Sequence, residues 1–415
     1  MLKLRREWDN SISPAYVVAL VVLLIVLLPK LPPDDLLRHL SAYRYDYDYR
    51  KMFLYSYAPS FDFYLFFDHL AAAVRKLLGN YAFVPFQILA VVLYGVSVNL
   101  ILRELPKTVR ALLVAVVLFV LYDRMLVARP TVFASGLFLL AYALRDRDWK
   151  VHLPIAVFVP VLYYLWFIYA VPLLVFRNLR KYYLISLLFG LAFWLAVGGT
   201  EYFDLIRHIL TAKSNRLLQV SEGQNWAAVI FSPAAACLIP VLLKWREDLA
   251  SLTVIGWFLL ANQVRYEEVL VPLWLSYARF FSLPAEIDWR ISVPLLLFLI
   301  SPYSVFSMPT AVGFDRPVKV AYSDMPEMYR GVYFSKAPIQ VVPSMEIGWM
   351  DRKVQEFLKE LHEGTLDCKI LKELGFDYVV ENTLNGTPPA CVRLERISGN
   401  YRVWRVLNSE ISNSR

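Results

Sequence analysis

Apolar positions along this chain gather in long runs. The first is Tyr16 to Leu28, and comparable runs recur as far as about residue 305. Runs that approach the ~30 Å thickness of a bilayer's hydrocarbon core predict membrane-crossing helices. The pattern predicts eleven spanning or near-spanning helices, over 14–29, 81–102, 109–122, 131–144, 151–163, 165–176, 182–198, 226–243, 250–263, 268–283 and 291–305. Several are short for a simple span. The run 151–176 is divided because Arg145, Arg147 and Lys150 precede it while Arg177, Arg180 and Lys181 follow it. A hairpin with its tip near Tyr163 to Phe167 keeps both basic clusters on one side. Between the first two runs, Phe63, Phe66, Phe67, Leu70, Val74 and Leu77 recur at helical spacing and predict an amphipathic helix over 61–78. Asp62, Asp68, Arg75 and Lys76 interrupt its apolar face little.

Composition and charge orient these elements. Hydrophobic residues make up 58%, charged residues only 19%, and the mean hydropathy is +0.47. A polytopic α-helical membrane protein of about eleven spans is therefore expected over 1–305, followed by a small α+β domain over 306–415. Basic flanks at Lys3/Arg5/Arg6, Arg103/Lys107/Arg110, Arg145/Arg147/Lys150, Arg177/Arg180/Lys181 and Lys244/Arg246 place the N-terminus in the cytoplasm. The first loop, about 30–80, and the C-terminal domain are then extracytoplasmic. Tyr16 to Leu28 ends in Pro-Lys-Leu-Pro-Pro without a small-residue cleavage site. The basic flanks largely explain the net charge of +8, which is no argument for a nucleic-acid partner.

In the C-terminal domain, Val318 to Tyr322 and Tyr378 to Glu381 read as strands, and Arg352 to His362 and Cys368 to Leu374 as helices, the last ending at Gly375. Val392–Ile397 and Tyr401–Leu407 alternate around Ser398-Gly399-Asn400 and predict a hairpin. Cys368 and Cys391 fall on the exported side, where a disulfide is permitted, and the sequence leaves their pairing open. Asn385-Gly386-Thr387 is a glycosylation sequon on that side.

The polar residues of the outer face carry the candidate chemistry. Asp34 and Asp35 follow Pro32-Pro33 beside the first apolar run, where two adjacent charges are costly. Capping explains one acid, and i,i+4 pairing of Asp34 with Arg38 and Asp35 with His39 is a local alternative. Asp123, Arg124 and Arg129 form one outer turn, readable as a salt-bridged turn, and Glu201 and Tyr202 open a long loop. Arg265, flanked by Asn262 and Gln263 and followed by Glu267, has the planar fork that suits phosphate; snorkelling or pairing with an acid is the alternative. Tyr43, Tyr45, Tyr47 and Tyr49 alternate with charged residues and predict a short strand or extended loop with one aromatic face. There is no Cys/His metal spacing, Gly-rich phosphate loop or Gly-x-Ser-x-Gly elbow. Intramembrane charges are scarce, which disfavours a transporter.

These features resemble the GT-C-fold glycosyltransferases, polytopic enzymes that include protein O-mannosyltransferases, the lipid A aminoarabinose transferase and oligosaccharyltransferases. The resemblance rests on Asp34-Asp35 in the first outer loop, the membrane-lying helix after it, short paired middle helices, Arg265, and the exported segment Leu371 to Val380. The Trp-Trp-Asp-Tyr-Gly signature of oligosaccharyltransferases is missing. The resemblance implies transfer of a sugar from a polyprenyl-phosphate carrier to a glycan, lipid or protein acceptor at the extracytoplasmic face of the cell membrane. Glycosyl transfer needs a base for the acceptor hydroxyl and stabilisation of the leaving phosphate. Asp34 or Asp35 is the expected base, with Arg265, Arg38 and His39 on the donor phosphate. Asp123, Arg124, Arg129, Glu201, Tyr202 and Glu267 are candidate substrate contacts. A divalent metal, Mg or Mn, held by Asp35 is the one cofactor to consider. Direct displacement implies inversion at the anomeric carbon. The alternatives are a lipid-linked polysaccharide polymerase or ligase, and a non-catalytic lipid-glycan binding or transport protein.

Overall fold

Among the described residues the apolar runs are largely helical, but few of the helices are long enough to span. The computed structural model describes residues 13–27, 29–32, 35–54, 59–212, 233–260, 267–282, 312–342, 357, 360–361, 368–381 and 390–407. In chain order the helices are α1 (Pro14–Leu27), α2 (Leu36–His39), α3 (Tyr49–Met52), α4 (Leu65–Leu78), α5 (Phe83–Ile101), α6 (Lys107–Val120), α7 (Tyr122–Val127), α8 (Pro130–Ala143) and α9 (Trp149–Leu162). They continue with α10 (Phe167–Ala170), α11 (Arg180–Gly198), α12 (Glu201–Ala212), α13 (Ile239–Lys244), α14 (Leu249–Leu260), α15 (Glu267–Ser276), α16 (Met325–Phe334) and α17 (Cys368–Glu373).

The expectation of about eleven spanning helices in a GT-C-like membrane module is overturned. Among the described residues only α5 and α11, with 19 residues each, are long and apolar enough to cross a membrane. The apolar helices α1, α8, α9 and α14 have 14, 14, 14 and 12 residues. At 1.5 Å per residue a 14-residue helix reaches ~21 Å, short of the ~30 Å required. The run 165–176 divides into one α-turn, α10, and a 3₁₀ segment Val171–Val175 around Pro172. Much of the hydropathy serves burial inside the protein instead. Along α8 almost every side chain is shielded, and α5 packs against both α8 and α1. An apolar run reads the same in a core helix as in a spanning one, which is why length had to decide. The run 291–305 lies outside the described residues.

Local chemistry sets several boundaries. Pro14 and Pro130 begin α1 and α8, where a missing N–H costs nothing. The side chain of Asp148 caps α9 by accepting from the Lys150 N–H, and that of Asp324 caps α16 by accepting from the Glu327 N–H. The aromatic alternation 43–49 is not a strand. Ala42–Tyr45 is a 3₁₀ turn, and Asp46 and Tyr47 both take positive φ (53° and 60°), which turns the chain into α3.

The C-terminal unit is α+β, as expected from the pattern. Strands β1 (Lys319–Tyr322), β2 (Gln340–Val341), β3 (Tyr378–Glu381), β4 (Val392–Ser398) and β5 (Tyr401–Val406) form one sheet in the order β2-β1-β3-β5-β4. β1 pairs parallel with β2 and β3, while β3–β5 and β4–β5 are antiparallel. Gly399, at φ 58°, makes the hairpin turn between β4 and β5, and Gly375, at φ 66°, follows α17. Cys368 and Cys391 are joined in a disulfide. Of the predicted helix 352–362 only 357, 360 and 361 are described, all helical, and Asn385 lies outside the described residues.

This unit is docked on the first loop. Phe53 bridges to Val341, extending the sheet edge, and the Tyr45 hydroxyl donates to the Ile339 carbonyl (2.7 Å) while accepting from the Ile339 N–H (3.0 Å). The Arg75 guanidinium stacks 3.6 Å from the Tyr333 ring centre, and α16 lies against α2. The C-terminal unit thus roofs the segment that carries Asp35.

Candidate polar centre beneath the C-terminal unit

The centre is built from α2, the turn before α4 and the first turns of α4. In α2, residues i and i+3 share a side, so Arg38 reaches back to Asp35, Nη2 to Oδ2 at 3.1 Å. The i,i+4 pairing of Asp35 with His39 is therefore not the one formed. His39 instead turns to Asp68 on α4, Nδ1 to Oδ1 at 2.5 Å, and Tyr49 donates its hydroxyl to Asp68 Oδ2 at 2.5 Å. Asp35 is 8%, Arg38 3%, and His39 and Asp68 are 0% exposed.

The hydrogen-bond donors fix the protons. Arginine has no acceptor, so the 3.3 Å contact from Arg38 Nη2 to His39 Nε2 requires Nε2 to accept. Nδ1 then carries the hydrogen and donates to Asp68, and the imidazole is neutral. Burial, reinforced by the neighbouring Arg38 charge, holds the His39 pKa well below its ordinary value. Burial would raise the Asp35 carboxyl, but the charges of Arg38 and then Arg129, with a hydrogen bond from Tyr329 on α16, outweigh it. Asp35 therefore stays ionised, held well below the usual carboxylate range.

The acids behind His39 behave oppositely. Burial, then the charge of Asp68, pushes Asp62 up to about 8. Burial raises Asp68 to about 7 against the Tyr49 hydrogen bond and the Arg38 charge. Asp62 Oδ1 accepts from the Tyr64 N–H (2.8 Å), while its shielded Oδ2 meets no donor among the described residues. Their mutual hydrogen bond raises Asp62 and lowers Asp68, the pattern of a protonated Asp62 donating to Asp68. Aromatic rings enclose the group: Arg38 lies 5.1 Å from the Tyr49 ring centre and 5.3 Å from that of Tyr64.

Of the residues singled out from sequence, the structure brings together Asp35, Arg38, His39 and Arg129. Arg129, the residue before Pro130 of α8, is 4% exposed and its charge acts on Asp35. Asp34 and Arg265 lie outside the described residues. Asp123 is exposed and pairs with Lys30 at 3.4 Å. The Arg124 charge acts on half-buried Glu267 at the start of α15. Glu201 accepts from the Ser60 N–H (2.9 Å) and hydroxyl (2.7 Å), and the buried Tyr202 donates to the Tyr164 carbonyl at 2.9 Å. Those two tie α12 to the loop and to the helix hairpin, away from Asp35's direct contacts.

Asp35 does not fit a divalent cation. Its charged neighbours are arginines, and no group of three or more His, Cys, Asp or Glu side chains among the described residues is placed to hold a metal. Tyr49, Asp62, Tyr64, Asp68 and Tyr329 were not anticipated as site residues. One signal was available: Asp68 sits on the apolar face of an amphipathic helix, where a carboxyl is expensive without partners. Comparison with protein-family models, with curated proteins and with solved structures finds no match.

Proposed function

We propose that this chain is a membrane-bound glycosyltransferase that moves a sugar from a polyprenyl-phosphate carrier to an acceptor hydroxyl at the extracytoplasmic face, with Asp35 as general base. One observation carries the reading: the buried Asp35 carboxylate is ion-paired with buried Arg38 at 3.1 Å, within the field of buried Arg129, and hydrogen-bonded to Tyr329 of the unit above it. Ion-paired to Arg38, the carboxylate is a weak base; a departing phosphate that competes for the guanidinium frees it to take the acceptor proton. In the step, the acceptor oxygen attacks the anomeric carbon and the carbon–oxygen bond to phosphate breaks. The bonding pair leaves on the phosphate oxygen, and the acceptor proton passes to Asp35. Direct displacement inverts the anomeric centre. Membrane attachment is supported by the exposed apolar side chains Leu20, Leu23 and Leu27 on α1 and Leu184, Leu188 and Leu191 on α11.

The test uses native membranes and a panel of labelled polyprenyl-phosphate sugars. Asp35→Asn keeps the side chain's shape and removes the base, so transfer should fall at least ~100-fold, the lower end of general-base contributions. Near-normal turnover at normal expression would discard Asp35 as the base. Donor binding without transfer by the unaltered protein would favour a lipid-glycan binding protein.

A further inference from the structure

At the opposite end of α11 from the polar centre lies a shallow depression of about 810 Å³, lined by Arg147, Arg177, Asn178, Arg180, Lys181, Tyr182 and Leu184. Gly198 ends α11 against the Phe61 ring, beside the Asp62 turn, where an added Cβ would approach Phe61 to 2.7 Å. Arg180 begins the helix, ~28 Å away at 1.5 Å per residue. The depression is therefore separate from the Asp35 centre.

Arg147 and Arg177 come from the turns before α9 and α11, which meet where Asn178 donates through its side chain to the Arg145 carbonyl, and Arg180 and Lys181 open α11 itself. All four are exposed. The acids of the same region are engaged elsewhere: Asp146 with Arg103 at 3.4 Å, and Asp148 in capping α9. Arg180 donates Nε to the Leu174 carbonyl at 2.9 Å, and Lys181 lies 4.8 Å from the Tyr182 ring centre. No carboxylate among the described residues is within ion-pair distance of Arg147, Arg177, Arg180 or Lys181. Like charges held this close repel, and an anion seated among them relieves the repulsion.

A second feature identifies the anion's source. Below Lys181, the exposed side chains Leu184, Leu188, Leu191 and Leu195 follow at spacings of 4, 3 and 4 residues, one unbroken apolar stripe on α11. Leu184 belongs to both the stripe and the depression. We propose that this surface is a binding site for an anionic phospholipid, its phosphate among Arg147, Arg177, Arg180 and Lys181 and its acyl chain along the leucine stripe. A soluble phosphate would have no use for the stripe, and a zwitterionic lipid would leave the cations partly unbalanced. The inference shares with the proposed function only the placement of α11 in a membrane.

The experiment uses the full chain purified in neutral detergent, with native mass spectrometry after addition of phosphatidylglycerol or phosphatidylcholine. Phosphatidylglycerol should be retained at least tenfold more strongly. Substituting a single cation with Gln should weaken retention roughly fivefold, as expected for one Lys or Arg at an anionic surface. R147Q/R177Q/R180Q/K181Q together should abolish the preference while leaving the lipid-free melting temperature unchanged, because all four side chains are exposed. Equal retention of the two lipids, or an undiminished preference in the fourfold variant, would overturn the site. Glycerol phosphate competing as tightly as the intact lipid would overturn the lipid source. Asp35→Asn should leave lipid retention untouched, so loss of transfer and loss of lipid binding remain separate results.

Discussion

His39 Nδ1 and Asp68 Oδ1 stand 2.5 Å apart with both side chains wholly shielded from solvent. The contact joins α2 to α4 across 29 residues of sequence. Through Arg38 it also continues to Asp35, so the orientation of the proposed base depends on an acid remote from it in the chain. Each member of this row has its donor or acceptor role set by the next.

Removing the imidazole should therefore cost more than removing a charge. His39→Ala leaves Asp68 without its ring donor in a buried setting and should destabilise the protein by at least ~3 kcal/mol. Asp68→Asn can still accept from Nδ1 and should cost less than half as much. Denaturant melts of the detergent-solubilised variants separate the two; equal losses would mean that the His39–Asp68 contact does not hold the loop.

The acid pair predicts a pH dependence with a definite sign. Folding raises Asp62 to about 8 and Asp68 to about 7. Groups raised in this way contribute stability that is complete below the ordinary carboxylate range and is lost as pH rises through those values. Asp35, held low, works the other way, and its contribution disappears only in strong acid. Above about pH 6.5, where the His39 imidazole is neutral folded or unfolded, the melting temperature should fall until about pH 8, and Asp62→Asn, which keeps a donor but cannot ionise, should flatten that fall. An identical slope in the variant would show that the pair does not share a proton.

The bridge made by Arg38 requires a planar fork. Its Nη2 contacts Asp35 at 3.1 Å and His39 at 3.3 Å, while the ring faces of Tyr49 and Tyr64 flank the guanidinium. Lysine offers a point charge without that plane. Arg38→Lys should keep the fold and lower kcat/KM roughly tenfold to a hundredfold, the equivalent of about 1.5–3 kcal/mol for a hydrogen bond to a charged group. Transfer rates at donor concentrations well below KM provide the measurement, and unchanged kinetics would remove Arg38 from the site.

The sequence made some of this legible and hid the rest for identifiable reasons. The β4–β5 hairpin, its turn at Gly399 and the start of α8 follow from local rules, because alternation, positive φ and a proline at a helix start act within a few residues. Spanning length does not. The apolar composition of Pro130–Ala143 reflects packing against α5 and not a lipid face. Asp35 stands out through its cost beside an apolar run, but i,i+4 spacing pairs it with His39, whereas the fold pairs it with Arg38 at i,i+3. Asp68 did not stand out as a partner of His39, since only the folded chain brings positions 39 and 68 together. The tyrosine alternation misled because Asp46 and Tyr47 take a left-handed turn that period-two reading does not foresee.

One hydroxyl makes two of the hydrogen bonds that seat the roof over the centre. Tyr45 donates to the Ile339 carbonyl and accepts from the same residue's N–H, so both backbone groups of Ile339 are satisfied by a side chain of the first loop. Tyr45 is 3% exposed and Ile339 is fully buried, so water cannot readily substitute. Tyr45→Phe keeps the ring and strands both groups, at about 1–3 kcal/mol apiece. The C-terminal unit should then lift more often from Leu36–His39, with Tyr329 leaving Asp35. Limited proteolysis should cut the variant faster at 335–339, and the pH profile of transfer should shift as Asp35 loses a hydrogen bond that lowers its pKa. Cleavage and pH profile both matching the unaltered protein would show that this hydroxyl does not hold the roof.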